Sequence, residues 1–152
     1  CGEGMVHQQF MLVPNMTVAE NIAIGKEPTK GIFTDLGKVK AKIKEFSEKF
    51  GLELNPDRYI WQLSAGEQQR VEIFKVLYRG ADILILDEPT SVLSPPEIEA
   101  LFDILRSFVK AGKSIILITH KLNEVLSISD RITVMRRGAV QGTVKTSEID
   151  KK

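Results

Sequence analysis

The chain has 152 residues, 43% of them hydrophobic, enough for one domain with a buried core. Lysine plus arginine total 21 and aspartate plus glutamate 20, so the net charge of +1 lacks the basic surplus that marks a nucleic-acid binder. The single cysteine, Cys1, excludes an internal disulfide and fits a reducing compartment, and apolar runs such as ILIL (83–86) and IILI (115–118) are far too short to span a membrane.

The N-terminal residues lack the basic-then-apolar order of a secretory leader, so the sequence reads as that of a soluble intracellular protein. A short strand is expected at Gly4–Gln8, running into the apolar loop FMLVPNM. Thr17 and Glu20 have the spacing of a capping box, opening a helix to about Ile24 with Gly25 as its stop. A Gly/Pro/Lys-rich loop follows, Gly25 to Gly31. Val39, Ile43, Phe46 and Phe50 then fall on one face of a helix from about Leu36 that Gly51 ends.

LSAGEQQRVEI, 63–73, opens the next helix. Ser64 and Glu67 form another capping-box pair, and Val71, Phe74 and Leu77–Tyr78 are expected to point inward before Gly80 stops the helix. A helix start with a serine and a close-approach glycine, Gly66, is also a phosphate cradle in waiting. On these residues alone the structural reading is the stronger, because capping boxes far outnumber phosphate sites.

The pattern then changes. DILIL, 82–86, is a continuous apolar run expected of a strand buried on both faces. Ser94-Pro95-Pro96 starts a helix whose expected apolar stripe is Ile98, Leu101, Phe102, Leu105 and Val109, with Gly112 as its end. SIILIT, 114–119, reads as a second buried strand, followed by a short helix at about Leu122–Ile128. RITVMRRGAVQGTV, 131–144, reads as a hairpin turning at Arg137-Gly138. Strand–helix alternation in this half argues for an α/β layer with a mostly parallel sheet, into which the helices of the first half are inserted.

The strongest chemical signal is ILILDEP, 83–89: two adjacent carboxylates at the C-terminal end of a buried strand, where open α/β sheets bind ligands. Asp87 suits a hard cation such as Mg²⁺, directly or through water. Glu88, turned the other way, suits polarising a water for attack on a γ-phosphate. His120, after the second strand, is at the same sheet edge and could donate to a phosphate oxygen, although a lone histidine is more often a surface or capping residue. Gln8, ending the first strand, is a neutral candidate for touching metal or water from that edge.

Together MVHQQF, LSAGEQQR, ILILDEPTSVLS and ILITHKLNEV, in this order, resemble the nucleotide-binding subunit of an ABC transporter. They match its glutamine loop, signature motif, magnesium and catalytic-glutamate strand (Walker B), and histidine switch. The resemblance implies a partial P-loop NTPase (RecA-like) α/β core with a mostly parallel sheet and an inserted α-helical subdomain. It divides one truncated ATPase domain into a core strand with the glutamine loop (1–9), the helical subdomain with the signature (10–80), and the rest of the core with the histidine switch and C-terminal hairpin (81–152). ATP and Mg²⁺ are the implied cofactors. Ser64, Ala65, Gly66 and Glu67 would bind the γ-phosphate of an ATP held by the opposite ATPase domain. Gln8 would link metal to the transmembrane subunit, Asp87 would hold Mg²⁺, Glu88 would activate water, and His120 would contact the γ-phosphate. The implied partners are transmembrane permease subunits, a second ATPase domain in the same full-length chain and, indirectly, a solute-binding protein, at the cytoplasmic face of the membrane.

The phosphate-binding loop G-x-x-x-x-G-K-[ST] is not found. The only GK[ST] is Gly112-Lys113-Ser114, but Ser107 stands where its first glycine belongs, and it lies between a helix and a following strand. Family members carry the loop upstream of the glutamine loop, so the chain is expected to be an inactive fragment of a longer ATPase. Against the usual signature LSGGQ, Ala65 and Glu67 replace a Gly and the Gln, and Ser94 stands where the family usually has Asp. Glu67 and Ser94 resemble the simple-sugar and nucleoside importers, and MVHQQFMLVPNMTVAENI and GEQQRVEIFKVLYRGADILILDEPT resemble their nucleoside branch most. Two alternatives remain at this stage: a soluble ABC ATPase of the translation or DNA-repair type, and a binding module without activity of its own.

Overall fold

The computed structural model describes residues 2–8, 10–24 and 36–149; the expected loop Gly25–Gly31 lies outside them. The chain divides into two compact units, Cys1–Ile118 and Thr119–Lys152.

In the first unit the order is β1 (Glu3–Val6), α1 (Val18–Ala23), α2 (Leu36–Phe50), a 3₁₀ turn (Ile60–Gln62), α3 (Ala65–Tyr78), β2 (Ile83–Asp87), α4 (Pro95–Lys110) and β3 (Ser114–Ile118). The three strands form a parallel sheet in the order β1-β2-β3, with Val6 paired to Leu86 and Asp87 to Ile118. Long helical crossovers, α1–α3 before β2 and α4 before β3, are what parallel pairing requires. The fold is the expected α/β arrangement with helices inserted between β1 and β2.

Local chemistry sets the boundaries. Thr17 and Glu20 form the reciprocal cap of α1, and Ser64 and Glu67 that of α3. Hydrogen bonds from the Thr17 N–H and then its hydroxyl hold the Glu20 carboxyl below the ordinary carboxylate range. After α4, Gly112 at φ 82° turns the chain into β3, a conformation that favours glycine. So Gly112-Lys113-Ser114 is a helix stop. Lys113 Nζ is bound to Asp82 Oδ1 at 2.7 Å, at the N-terminal foot of β2, and lowers the Asp82 carboxyl below its ordinary range.

Val18, Ala19 and Ile22 of α1, Val39 and Ile43 of α2, Ile60, Leu63, and Val71 and Phe74 of α3 form the core of the helical insertion. A chain of tilted rings runs from it into α4: Phe74–Phe46 at 5.1 Å, Phe46–Phe50 at 5.2 Å and Phe50–Phe108 at 4.7 Å between centroids. Phe108 corrects the expected stripe of α4. Leu101, Phe102, Ile104, Leu105 and Phe108 are buried, whereas Val109 is 48% exposed and Ile98 half-buried. Positions 101, 104/105 and 108 share one face, and Phe50 receives the ring of Phe108 there.

The strands also differ from expectation. Leu84 and Leu86 are buried but Ile83 and Ile85 are only half-buried, and Ile116 and Ile118 of β3 are 50% and 46% exposed. One face is closely covered. At Gly4, paired to Leu84, a Cβ would lie 1.9 Å from Val76 Cγ1, so α3 packs directly on the β1 backbone. The alternate side chains point to the other face, which is not covered to the same degree.

The second unit holds α5 (Leu122–Ile128) and the antiparallel pair β4 (Arg131–Arg136) and β5 (Ala139–Lys145). Arg137 and Gly138, at φ 52° and 77°, make the turn at the expected place.

Candidate functional site

Parallel pairing puts the C-terminal ends of β1 and β2 side by side. With Val6 opposite Leu86, Gln8 and Glu88 each lie two residues past the last pair. Gln8 is exposed in a bend because β1 stops at Val6 instead of running to Gln8 as expected, and Asp87 and Glu88 are half-buried. Glu88 is at φ 48°, in the left-handed region that costs a non-glycine residue roughly 1–2 kcal/mol. It is held there by its N–H, which donates to the Ile118 carbonyl at 2.9 Å, and by its own carbonyl, which accepts from the Ser91 N–H at 3.2 Å. The chain turns sharply straight after the strand, and such strain clusters at functional sites.

No three His, Cys, Asp or Glu side chains among the described residues cluster as a metal cage. Asp87 does supply a hard oxygen donor at the sheet edge. That fits Mg²⁺, which takes one or two carboxylates and completes its shell with phosphate and water. His120 is exposed and belongs to the second unit.

The second cluster is the N-terminus of α3. The Ser64 hydroxyl accepts from the Glu67 N–H at 3.2 Å, and Glu67 Oε2 accepts from the Ser64 N–H at 2.8 Å. Gly66 is buried and Ala65 half-buried behind them. Three features here are not visible in local sequence. Glu67 Oε1 accepts from Arg58 Nη1 at 2.7 Å, and Arg58 Nη2 donates to the Gln62 carbonyl. Glu97, from the first turn of α4, accepts from the Ser64 hydroxyl at 3.3 Å. A Cβ on residue 66 would lie 2.6 Å from Glu97 Oε1, so a larger residue there would push the Glu97 carboxylate from its present place. Hydrogen bonds from the Ser94 hydroxyl and then its N–H hold Glu97 below the ordinary carboxylate range, with smaller help from Ser64 and the Gly66 N–H.

The apolar loop after Gln8 is held by its backbone. Met11 N–H donates to Glu72 Oε1 at 2.6 Å and its carbonyl accepts from Lys75 Nζ at 2.9 Å. Val13 N–H donates to Asn21 Oδ1 at 2.7 Å, and its carbonyl accepts from Asn21 Nδ2 at 3.1 Å. Asn21 and Glu72 are buried polar groups, and a buried polar group needs such a partner. With the backbone fixed, Met11, Val13 and Met16 stay exposed, as do Tyr59 and Trp61, whose rings stack at 6.4 Å; the Trp61 backbone N–H donates to the Pro14 carbonyl. The one sequence hint was an acid, Glu72, inside the apolar run of α3.

Residues 2–91 match the family profile described as ABC transporter. The chain is 58% identical over 147 residues to the nucleoside import ATP-binding protein NupA of Lactococcus lactis subsp. cremoris, covering 97% of this chain and 29% of that protein. It is 55% identical over 137 residues to the guanosine import ATP-binding protein NupO of Bacillus subtilis, covering 90% and 27%. The chain thus spans less than a third of the length of these curated relatives. Among solved structures, the ATP-binding cassette MJ0796, a dimer in a post-hydrolysis state bound to ADP and Pi, superposes with a TM-score of 0.75 at 28% identity, covering 95% of this chain and 62% of that one.

Proposed function

The chain belongs to the ABC transporter family, and from that premise we propose that it serves within a longer ATPase that powers import of a nucleoside or simple sugar. The observation that carries this reading is the sheet edge: Asp87 and a Glu88 in left-handed conformation, side by side with Gln8 past the ends of paired parallel strands. The import proteins it is similar to supply the solute class. They also weigh against a soluble translation or DNA-repair ATPase.

When bound, Mg-ATP supplies the phosphoanhydride and the metal that offsets its charge. Asp87 is the carboxylate that would hold the ion, and Gln8 the neutral group beside it. Glu88 takes a proton from the attacking water. By the family resemblance, His120 would be the residue that donates to the γ-phosphate. Ser64, Ala65, Gly66 and Glu67 would face the ATP of a second ATPase domain in head-to-tail pairing; that a similar cassette is a dimer bound to ADP and Pi supports the pairing of two such domains.

The clamped loop from Phe10 to Met16, with Tyr59 and Trp61, is the face for transmembrane permease subunits, because Met11, Val13 and Met16 are exposed on a fixed backbone while Leu12 packs inward. A solute-binding protein acts through those subunits. The import relatives support a peripheral place on the cytoplasmic face of the membrane; no helix among the described residues is long and apolar enough to cross one.

The test is Glu88→Gln in the full-length protein. Nucleotide binding by calorimetry should persist, while hydrolysis falls by at least about a hundredfold, the scale of a lost general base. Turnover within about tenfold of wild type would remove Glu88 from that role.

A further inference from the structure

We infer that Arg58 is a positioning residue that makes the acidic signature compatible with phosphate, by neutralising Glu67 and holding its carboxylate against the start of α3. The assignment rests on the proposed function, in which this helix start receives the γ-phosphate of a facing ATP. There a free carboxylate is a liability, since a like charge close by in a dehydrated interface weakens anion binding.

The structure shows how that charge is managed. Both Glu67 oxygens are engaged: Oε2 by the Ser64 N–H at 2.8 Å and Oε1 by Arg58 Nη1 at 2.7 Å. The guanidinium is itself aimed, because its second nitrogen donates to the Gln62 carbonyl one turn before the helix. Its backbone is anchored as well, with the Arg58 carbonyl accepting from the Val18 N–H of α1 at 2.9 Å. A planar fork that bonds a carboxylate with one arm and a carbonyl with the other is a geometry lysine cannot copy.

Stability alone does not account for this arrangement. The Arg58 and Glu67 side chains are 39% and 33% exposed, and ion pairs so open to water contribute little to folding. The other acid at this helix start, Glu97, is served by Ser94 and Ser64. The pair matters when the site closes on a phosphate and water leaves.

The experiment measures ATP turnover by the full-length protein as wild type, Arg58→Ala, Arg58→Lys, Glu67→Gln and Arg58→Ala/Glu67→Gln, at low and high salt. Arg58→Ala should raise KM for Mg-ATP by roughly tenfold with a much smaller change in kcat, and added salt should shrink the defect by screening. Arg58→Lys should restore only part of the affinity. The decisive variant is the double one: removing the acid should cancel the loss of the arginine and return KM to that of Glu67→Gln alone. A purely structural arginine gives no such rescue, so a double variant as impaired as Arg58→Ala, or a KM unmoved in Arg58→Ala, overturns the assignment. Failure of the underlying reading is distinct, because the wild-type protein itself would then not hydrolyse Mg-ATP.

Discussion

The start of α3 and the C-terminal edge of the sheet present polar groups in opposite ways. At the helix start, Ser64 and Glu67 are held by side-chain bonds to each other, to Arg58 and to Glu97, with the backbone in ordinary conformation. At the sheet edge, strand pairing and one left-handed residue, Glu88, do the positioning. A site built from bonds is tuned by charge and by partners distant in sequence. A site built from backbone is tuned by the fold that forces the turn, and a side chain there can be exchanged without losing the scaffold.

The comparison breaks most visibly if the two regions are independent. Both are tied to α4, which follows the sheet edge directly in the chain, supplies Glu97 to the helix start from its first turn and meets Phe50 of the helical insertion through Phe108. Phe108→Ala should cost about 3–5 kcal/mol, the usual range for a buried phenylalanine, and loosen both regions together in hydrogen exchange. Val109→Ala, one residue on but 48% exposed, should cost less than about 1 kcal/mol. Urea unfolding followed by circular dichroism measures both, and equal losses would contradict the observed phase of α4.

That phase marks a limit of what sequence alone reveals. Gly51, Gly80 and Gly112, all at positive φ, and the capping pairs at Thr17 and Ser64 were readable because their code is written within three or four residues. The stripe of α4 was misread at its end because a 3.6-residue period leaves 108 and 109 as neighbouring choices, and the arbiter was Phe50, distant in sequence. The apolar runs of β2 and β3 suggested burial on both faces, but the close packing of α3 lies on one. At the site, Asp87, Glu88, Gln8 and the signature residues were legible as motifs. Arg58 on Glu67, Glu97 on Ser64 and Glu72 on Met11 were not, since each joins residues at separations of 9, 33 and 61 that no periodicity encodes.

A smaller effect sharpens the comparison at the helix start itself. Ser64→Ala removes a cap and should cost about 1 kcal/mol of stability. If the serine also faces a phosphate held by the other ATPase domain, turnover should fall further than that loss explains, and only at the site whose phosphate loop belongs to the other domain. A tandem protein with one phosphate loop disabled at a time separates the two sites. A loss confined to the site in its own domain would reject the facing arrangement, since the cap acts only within its own helix.

The smallest expected effect is the response to acid, and it should be concentrated at the helix starts. Glu97, bonded first by the Ser94 hydroxyl, and Glu20, bonded first by the Thr17 N–H, both have carboxyls lowered from their ordinary value. A carboxyl with a lower pKa in the folded state binds fewer protons there than in the unfolded chain. Its contribution is therefore complete above the unfolded value of about 4.3 and fades as pH falls through the folded value. Asp82, lowered by Lys113 at the foot of β2, follows the same sign from about 3.9 downward. Unfolding midpoints in urea should hold steady from pH 7 to about 5 and decline below that. Glutamine can still accept the backbone bond of a capping box but cannot titrate, so Glu20→Gln and Glu97→Gln together should flatten the decline. A decline as steep in that double variant as in wild type would shift the acid sensitivity away from the helix starts, and with it the contrast between a region held by charged hydrogen bonds and one held by its backbone.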